Sequence, residues 1–273
     1  MTPKNAYSTL SSRALIHIGG PDWRDFLQGL ITQDVENLNP GTLRFAALLT
    51  PQGRLIYDLF LFGLDDGALL DVAAVHRQDL IRRLSMYRLR AKVQFATDER
   101  PVCAQWNTSK PGPGWITDPR IPQLGWRGVG LSAPQDTHIV DEAAYDEHRL
   151  AQGVPGPADW GVEATYPIEA NFDFLCGIDF KKGCFVGQET TSRMKRRGQI
   201  KTRMLPLQFD GPAPPVGTEV LNGTLRAGQV LSGGSGIAMA TLRLDRIAGA
   251  LTAEQRPVRV FYPDWFPREI AAD

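Results

Sequence analysis

A cysteine between two glycines is the residue of this sequence with the clearest chemical potential. Cys184 lies in the stretch K-K-G-C-F-V-G-Q-E, which begins at Lys181. Gly183 and Gly187 let the backbone turn tightly, while Lys181 and Lys182 add positive potential that favours a thiolate. Because most free cysteines are buried and inert, a packing role is the alternative. The glycines and lysines favour a functional, accessible thiol, and we predict that role for Cys184.

Two carboxylates could bind a polar ligand. Asp58 lies in a predicted strand over residues 54–62, both faces of which are apolar, so its carboxylate should be partly buried and should need a strong partner. Glu169 follows Pro167 at the expected start of a helix. Each has a structural alternative: Asp58 could bind the backbone or an arginine, and Glu169 could serve only the helix dipole. The residues alone leave these alternatives open.

Basic residues are concentrated around the cysteine. Between Lys181 and Arg203 the sequence has eight lysines or arginines and one acidic residue, Glu189. A solvated helix face is the ordinary explanation, whereas RNA or a ligand with carboxylates would be a functional one. The run has no aromatic platform on which bases could stack, so direct nucleic-acid binding is not expected.

Several other chemistries have no support in the sequence. The histidines lack the spacing of zinc ligands, and the cysteines do not match an iron–sulfur ligand run. There is no P-loop, dinucleotide-binding glycine motif or serine nucleophile elbow, so we predict no resident metal site. Cys176, beside Phe172 and Leu175, has the apolar neighbours of a core cysteine. The residues considered are His17, His76, His138 and His148, with Cys103, Cys176 and Cys184.

The elements that must position these residues alternate between strands and helices. Apolar alternation bounded by turn residues predicts strands, and apolar spacings of three and four residues predict helices. The natural architecture is two layers of mixed helix and antiparallel sheet, an α+β fold. We predict strands at 13–18, 43–50, 54–62, 68–75 and 91–97, and helices that open at Pro21, surround residues 80–87 and span 141–152.

The pattern changes after Thr202. Prolines and glycines there interrupt short β-rich runs, which is typical of a small barrel or sandwich. We therefore place a domain boundary near Arg203, with residues 1–203 as one region and residues 204–273 as a C-terminal β-barrel.

Composition bounds the class of protein and its location. The chain has 273 residues, of which 42% are apolar and 22% charged, and its net charge is zero. These values suit a globular protein of two or three packed units. No apolar run is long enough to cross a bilayer, the N-terminal residues lack a secretory pattern, and the few cysteines fit a reducing compartment. We expect a cytoplasmic protein without a membrane partner.

Two motifs resemble those of a known family. Residues 182–189, K-G-C-F-V-G-Q-E, are similar to the cysteine signature of the YgfZ family, and residues 26–35, F-L-Q-G-L-I-T-Q-D-V, are similar to a second motif of that family. Shorter matches at 153–155, 167–170 and 217–220 extend the resemblance over nearly the whole chain. The resemblance implies a folate-binding protein that supports the assembly or repair of iron–sulfur enzymes and, through them, tRNA modification.

The wider superfamily is that of the glycine-cleavage T-protein, a tetrahydrofolate-dependent aminomethyltransferase. Residues 52–59 resemble a stretch beside its folate, where Asp58 takes the ligand position, and Glu169 matches the glutamate at the pterin edge. The resemblance implies a ring of domains in which residues 1–203 form two discontinuous folate-binding subdomains before the barrel. Phe45 and Ala73 stand where the transferases have polar residues, which argues against aminomethyl transfer.

The leading interpretation is a tetrahydrofolate-binding accessory protein that serves iron–sulfur proteins or their assembly machinery. An aminomethyl or other one-carbon transferase is one alternative, and an RNA-binding module is another. The sequence leaves open whether a substrate is turned over. The residues assigned to the folate site are Asp58, Glu169, Phe45, Lys182, Gln188 and Arg193, with Cys184 as the functional thiol.

Overall fold

The computed structural model describes residues 5–109, 111–198 and 200–271, in which two five-stranded sheets precede a closed six-stranded barrel. The predicted α+β fold is confirmed. In chain order the first elements are β1 (Ala6–Thr9), β2 (Arg13–Gly19), α1 (Trp23–Gln28), β3 (Leu43–Leu49), β4 (Leu55–Gly63), β5 (Gly67–Ala73), α2 (Arg77–Arg88), β6 (Gln94–Asp98), β7 (Val102–Trp106), β8 (Ile116–Thr117), β9 (Trp126–Val129) and β10 (His138–Ile139). They are followed by α3 (Glu142–Ala151), α4 (Pro157–Trp160), α5 (Gln188–Arg197), β11 (Thr202–Gln208), β12 (Glu219–Asn222), β13 (Leu225–Gly233), β14 (Ile237–Arg243), β15 (Leu251–Ala253) and β16 (Arg256–Val260).

The first sheet carries Asp58 and is covered on both faces. Its strands are ordered β3-β4-β5-β2-β6, with antiparallel neighbours throughout. Successive side chains of a strand point to opposite faces, so Phe60 and Phe62 enter one apolar core while Leu59 and Leu61 enter the other. Helices α1 and α2 contribute to the second core. Asp58 shares the face of Phe60 and is buried, as the sequence predicts.

The second sheet is smaller and has the order β10-β1-β7-β9-β8. The β1–β10 pair is parallel, and the other pairs are antiparallel. Helix α3 begins after Asp141, whose carboxylate accepts the N–H of Ala144 at 3.0 Å, as expected of an N-cap. It ends before Gly153, which has a φ of +70°, the left-handed conformation that favours glycine. This helix contacts both β1 and β14 and so links the second sheet to the barrel.

The barrel closes in the order β11-β14-β13-β12-β15-β16. Its first strand begins at Thr202, next to the predicted boundary. Arg203 on this strand is buried, and its guanidinium donates to both carboxylate oxygens of Asp173, at 2.6 and 3.0 Å, and to the carbonyl of Ile168 at 2.6 Å. These bonds fix the start of the barrel to the segment that carries Glu169.

Buried ion pairs join the two sheets. Arg13 on β2 lies 2.8 Å from a carboxylate oxygen of Asp58 and 2.5 Å from one of Asp71 on β5. The other oxygen of Asp71 lies 2.7 Å from Arg127, which belongs to β9 of the second sheet. Asp71 therefore links arginines from both sheets, and Asp58 is bound by the arginine that the sequence analysis left as an alternative.

The chain of ion pairs continues beyond Arg127. Its Nε lies 3.8 Å from Asp118, which is also 2.8 Å from Arg120, and Arg120 donates to the hydroxyl of Tyr145 on α3 at 2.9 Å. The guanidinium carbons of Arg120 and Arg127 lie 4.9 and 3.8 Å from the ring centroid of Phe60, within the range of a cation–π contact. The aromatic core and the ion pairs thus form one continuous interior.

Asp71→Asn should lower the free energy of unfolding by about 3–5 kcal/mol, because Arg13 and Arg127 would lose a charged partner in a buried site. Asp79→Asn is the matched control, since Asp79 pairs with Arg82 on the exposed surface of α2, and its effect should stay within about 1 kcal/mol. Urea unfolding of the two variants measures the difference. Equal effects would contradict a linking role for Asp71.

Candidate functional site

Cys184 is exposed on a short loop that leads into α5. The loop begins at Asp179, whose carboxylate oxygen accepts the backbone N–H groups of Lys181 and Lys182, at 2.7 and 3.2 Å. Gly183 leaves open space beside the cysteine, since a Cβ added there would meet no atom within 4 Å. The predicted accessibility of Cys184 is confirmed.

Lys182 holds this loop to the preceding part of the chain. Its ammonium donates to the carbonyls of Gln28, Ile31 and Gln33 at 2.9, 2.6 and 2.9 Å, and the residue is 8% exposed. Burial lowers the pKa of Lys182 to about 8, so below that pH its three N–H groups have one carbonyl each. These hydrogen bonds use all three donors of the ammonium within the protein, whereas the role of Lys182 as a folate ligand stays a prediction.

The far side of the loop is also fixed. The N–H of Val186 donates to the carbonyl of Gly29 at 3.2 Å, and Phe185 is buried in the core shared with the first sheet. Gly187 has a φ of +83°, and a Cβ there would lie 2.7 Å from the carbonyl oxygen of Thr50. The motif at residues 26–35 is therefore the seat of the cysteine loop, a relation that the sequence analysis did not predict.

Cys176 corrects a second expectation. Its neighbours Phe172 and Leu175 predicted a core position, and both are buried, but Cys176 is exposed. The residue has a φ of +55°, which turns the chain away from the periodic pattern, and its carbonyl accepts the side-chain amide of Gln33 at 2.7 Å. Cys103 on β7 is the buried cysteine. Two exposed thiols therefore occur in the segment before α5.

An open groove of about 550 Å³ runs along α5 beside the cysteine loop. The Nζ of Lys195 lies 4.7 Å from the ring centroid of Phe180 and 3.9 Å from Asp173. Gln188 connects the groove to the loop, since its side-chain amide donates to the carbonyl of Gly183 at 3.4 Å. The predicted ligand residue Gln188 thus borders a real cavity, whose lining is Phe180, Gln188, Glu189, Ser192, Lys195 and Arg196.

The remaining predicted ligand residues lie elsewhere. Arg193 is exposed on α5. Asp58 and Phe45 are buried, and neither lines the groove. Phe45 stacks on Phe172 with ring centroids 4.7 Å apart, and it contacts Phe60 at 4.9 Å. Arg193, Asp58 and Phe45 therefore do not line the groove that Gln188 borders.

Glu169 already has a structural task. One of its carboxylate oxygens accepts the N–H of Tyr166 at 2.9 Å. Burial raises the pKa of Glu169, against the lowering effects of this hydrogen bond and of nearby Arg54 and Arg203. The helix predicted from Pro167 onward is wrong: residues 167–176 form successive turns, because Asn171 and Cys176 take positive φ values, +61° and +55°, that a helix does not allow.

Two of the positions at which the resemblance suggests a pterin are engaged by the protein's own side chains. One carboxylate oxygen of Asp58 lies 2.8 Å from Arg13, so an amino-pyrimidine edge at Asp58 would compete with this buried guanidinium. The pterin rings would also have to separate Phe45 from Phe172. The interior at these residues is occupied by the protein's own side chains.

Both the barrel and the chain as a whole are similar to known proteins. Residues 201–268 match the C-terminal β-barrel domain of CAF17. The Mus musculus protein "Iron-sulfur cluster assembly factor IBA57, mitochondrial" is 32% identical, over 94% of this chain and 84% of that protein. Its Homo sapiens counterpart is 29% identical with the same coverage. The homologue from Coccidioides immitis is 34% identical over 78% of this chain, which spans only 59% of that longer protein.

Among solved structures, the glycine cleavage system aminomethyltransferase T from Bartonella henselae superposes with a TM-score of 0.77, over 96% of this chain and 86% of that one. At 18% identity this likeness shows the fold alone, and it confirms the fold that the resemblance implied. The expected cytoplasmic location is wrong, because the relatives above are named as mitochondrial proteins.

Lys182→Met should lower the free energy of unfolding by about 1–3 kcal/mol, because three carbonyls would lose their charged donor. Lys181→Met is the matched control: its side chain is exposed, and the change should cost less than about 0.5 kcal/mol. Urea unfolding measures both, and hydrogen exchange at residues 183–186 should accelerate only in Lys182→Met. Similar exchange in both variants would show that the ammonium does not hold the loop.

Proposed function

This chain belongs to the family of the iron–sulfur cluster assembly factors IBA57, and we propose that it acts as an accessory protein in iron–sulfur cluster assembly or repair. The group through which we propose that it acts is the thiol of Cys184. The observation that carries this proposal is an exposed thiol on a loop that Lys182, Phe185 and Gly187 hold in place. Support for tRNA modification is indirect in this proposal, through iron–sulfur enzymes.

Cys184 offers a single soft ligand to iron. Thiolates are the usual ligands of iron–sulfur clusters, so the thiol gives up its proton to solvent as its sulfur bonds to iron. Within the described ranges, no group of three or more histidine, cysteine, aspartate or glutamate residues is placed to hold a metal ion. A cluster is therefore cargo in this proposal, and its other ligands come from a partner iron–sulfur protein.

The fixed position of the cysteine loop favours a transient transfer of the cluster between Cys184 and the partner protein. A mobile loop would lose conformational entropy on each encounter, whereas a preorganised one loses less. The groove beside it adds Lys195 and Arg196, which we propose to contact the partner near the cluster. Basic residues at the rim of an interface mainly raise the rate of encounter with an acidic surface.

Tetrahydrofolate has no step in this proposal, and aminomethyl transfer is not favoured. The pterin positions Asp58 and Phe45 are engaged with Arg13 and Phe172. Sharing a fold with an aminomethyltransferase does not carry its reaction over, since function depends on the site.

Cys184→Ala should abolish support of iron–sulfur enzymes in a complementation assay, because the ligand to iron is lost. The melting temperature should change by less than about 2 °C, since the side chain is exposed and makes no core contact. Cys176→Ala is the matched control, being a second exposed thiol in the same segment, and it should retain full support. Alkylation of the folded protein should label both residues and spare Cys103. Loss of function in both variants, or in neither, would refute a specific role for Cys184.

Tetrahydrofolate should bind more weakly than a Kd of about 1 mM, which corresponds to a binding free energy of about −4 kcal/mol. The reason is that the ligand must break the Arg13–Asp58 pair and the Phe45–Phe172 stack. Isothermal titration calorimetry of the wild-type protein and of Glu169→Ala checks this. Micromolar binding that Glu169→Ala weakens at least tenfold would show that a pterin site opens in solution.

A further inference from the structure

The end of helix α2 projects apolar side chains into solvent. Six successive residues, from Ser85 to Arg90, are exposed. Leu89 is 90% exposed, Met86 70% and Tyr87 38%. We call residues 86–92 the α2 tip. Met86 and Leu89 therefore have most of their surface in contact with solvent.

The backbone of the α2 tip holds Leu89 in this position. Leu89 has a φ of +43°, a conformation that a leucine adopts at a cost of about 1–3 kcal/mol. The turn is closed on its far side by hydrogen bonds from the N–H of Ala91 to Arg88 at 2.7 Å and from the N–H of Lys92 to Asp22 at 2.7 Å. A strained residue that exposes its apolar side chain has no stabilising role in the fold.

The α2 tip is also strongly basic, although the chain as a whole has no net charge. From residue 80 to residue 97 the sequence contains five lysines or arginines and no acidic residue. Arg82 pairs with Asp79. Arg88, Arg90 and Lys92 make no ion pair with any residue that the structure describes. Three free cations therefore surround the exposed leucine.

We propose that the α2 tip binds an anionic lipid surface. Peripheral membrane binding uses apolar side chains that reach the acyl boundary and flanking lysines and arginines that contact the headgroups. Each lysine or arginine near an anionic surface adds to the attraction. No helix of the described chain is long and apolar enough to cross a membrane, so the contact is peripheral. This surface lies outside the proposed site at Cys184.

The shape of the tip favours lipid over a macromolecule. A stable protein interface needs far more area than a few side chains at a helix end provide, whereas a lipid surface needs no complementary shape to receive them. RNA would pair with the arginines but would leave Met86 and Leu89 in water. Helix α1 separates the tip from the cysteine loop, because Asp22 before it binds Lys92 while Gln28 at its end binds Lys182.

Co-sedimentation with vesicles tests the proposal. The wild-type protein should bind vesicles of phosphatidylcholine that contain about a quarter phosphatidylglycerol, and it should not bind phosphatidylcholine alone. Binding should fall steeply as salt rises, because the headgroup attraction is screened. Failure to bind the anionic vesicles at low salt would overturn the proposal.

Variants distinguish lipid binding from a structural role. Leu89→Gly should weaken vesicle binding by at least roughly tenfold, yet it should leave the protein as stable or more stable, since glycine adopts a positive φ freely. Arg88→Gln with Arg90→Gln should weaken binding similarly. Ile139→Ser, which removes an apolar side chain that is 73% exposed on β10, is the control and should bind as the wild type does.

The remaining outcomes contradict the proposal. Equal vesicle binding by Leu89→Gly and Ile139→Ser would show that the tip is not the contact. Dimerisation in sedimentation equilibrium that Leu89→Gly abolishes, without vesicle binding, would make the tip a contact between two copies. Tighter binding of a single-stranded RNA oligonucleotide than of anionic vesicles, lost in the arginine variant, would assign it to nucleic acid.

Discussion

The ion pair between Asp71 and two arginines is the contact on which the arrangement of the sheets depends. Arg13 comes from the first sheet and Arg127 from the second, so the two sheets cannot shift relative to each other without leaving a buried charge. Removing one partner of a buried ion pair destabilises a protein far more than replacing the whole pair by apolar residues does. Two further ion pairs, Arg13–Asp58 in the first sheet and Arg120–Asp118 in the loop before β9, belong to the same buried network. A neutral set of buried charges therefore fixes orientation, which apolar packing alone specifies less strictly.

The same buried pairs occupy a position at which the resemblance implies a ligand. Asp58 stands where the resemblance places a folate ligand, yet its carboxylate binds Arg13. The rings of Phe45 and Phe172 fill the adjoining space. The Asp58 carboxylate and the Phe45 ring are therefore engaged by the protein's own side chains at the position where the resemblance expects a ligand. The exposed thiols of Cys176 and Cys184 lie outside this interior, and the groove along α5 lies next to the loop of Cys184.

The sequence predicted most strands and helices because their signals are local. The mostly apolar run from Leu55 to Gly63, bounded by turn residues on each side, defines β4 whichever strands it pairs with. The surroundings of the candidate site residues depend on contacts with distant parts of the chain, which a local sequence pattern does not show. Lys182 is buried because three carbonyls from the segment 28–33, far earlier in the chain, surround its ammonium. Likewise Cys176 has the neighbours of a core residue, but one positive φ turns it outward.

The motifs at 26–35 and 182–189 form one structural unit, although the sequence presents them as separate signatures. Gln28, Gly29, Ile31 and Gln33 supply carbonyls, and the cysteine loop supplies the ammonium of Lys182 and the N–H of Val186. A backbone carbonyl can accept a hydrogen bond whatever side chain its residue carries. This seat therefore constrains the path of the backbone at residues 26–35 more than it constrains their residue types. The lysine is the exception, because a neutral side chain cannot donate to three carbonyls at once. A thiol held at a fixed point by backbone contacts presents the same geometry to every partner, which is what the proposed exchange of an iron–sulfur cluster requires.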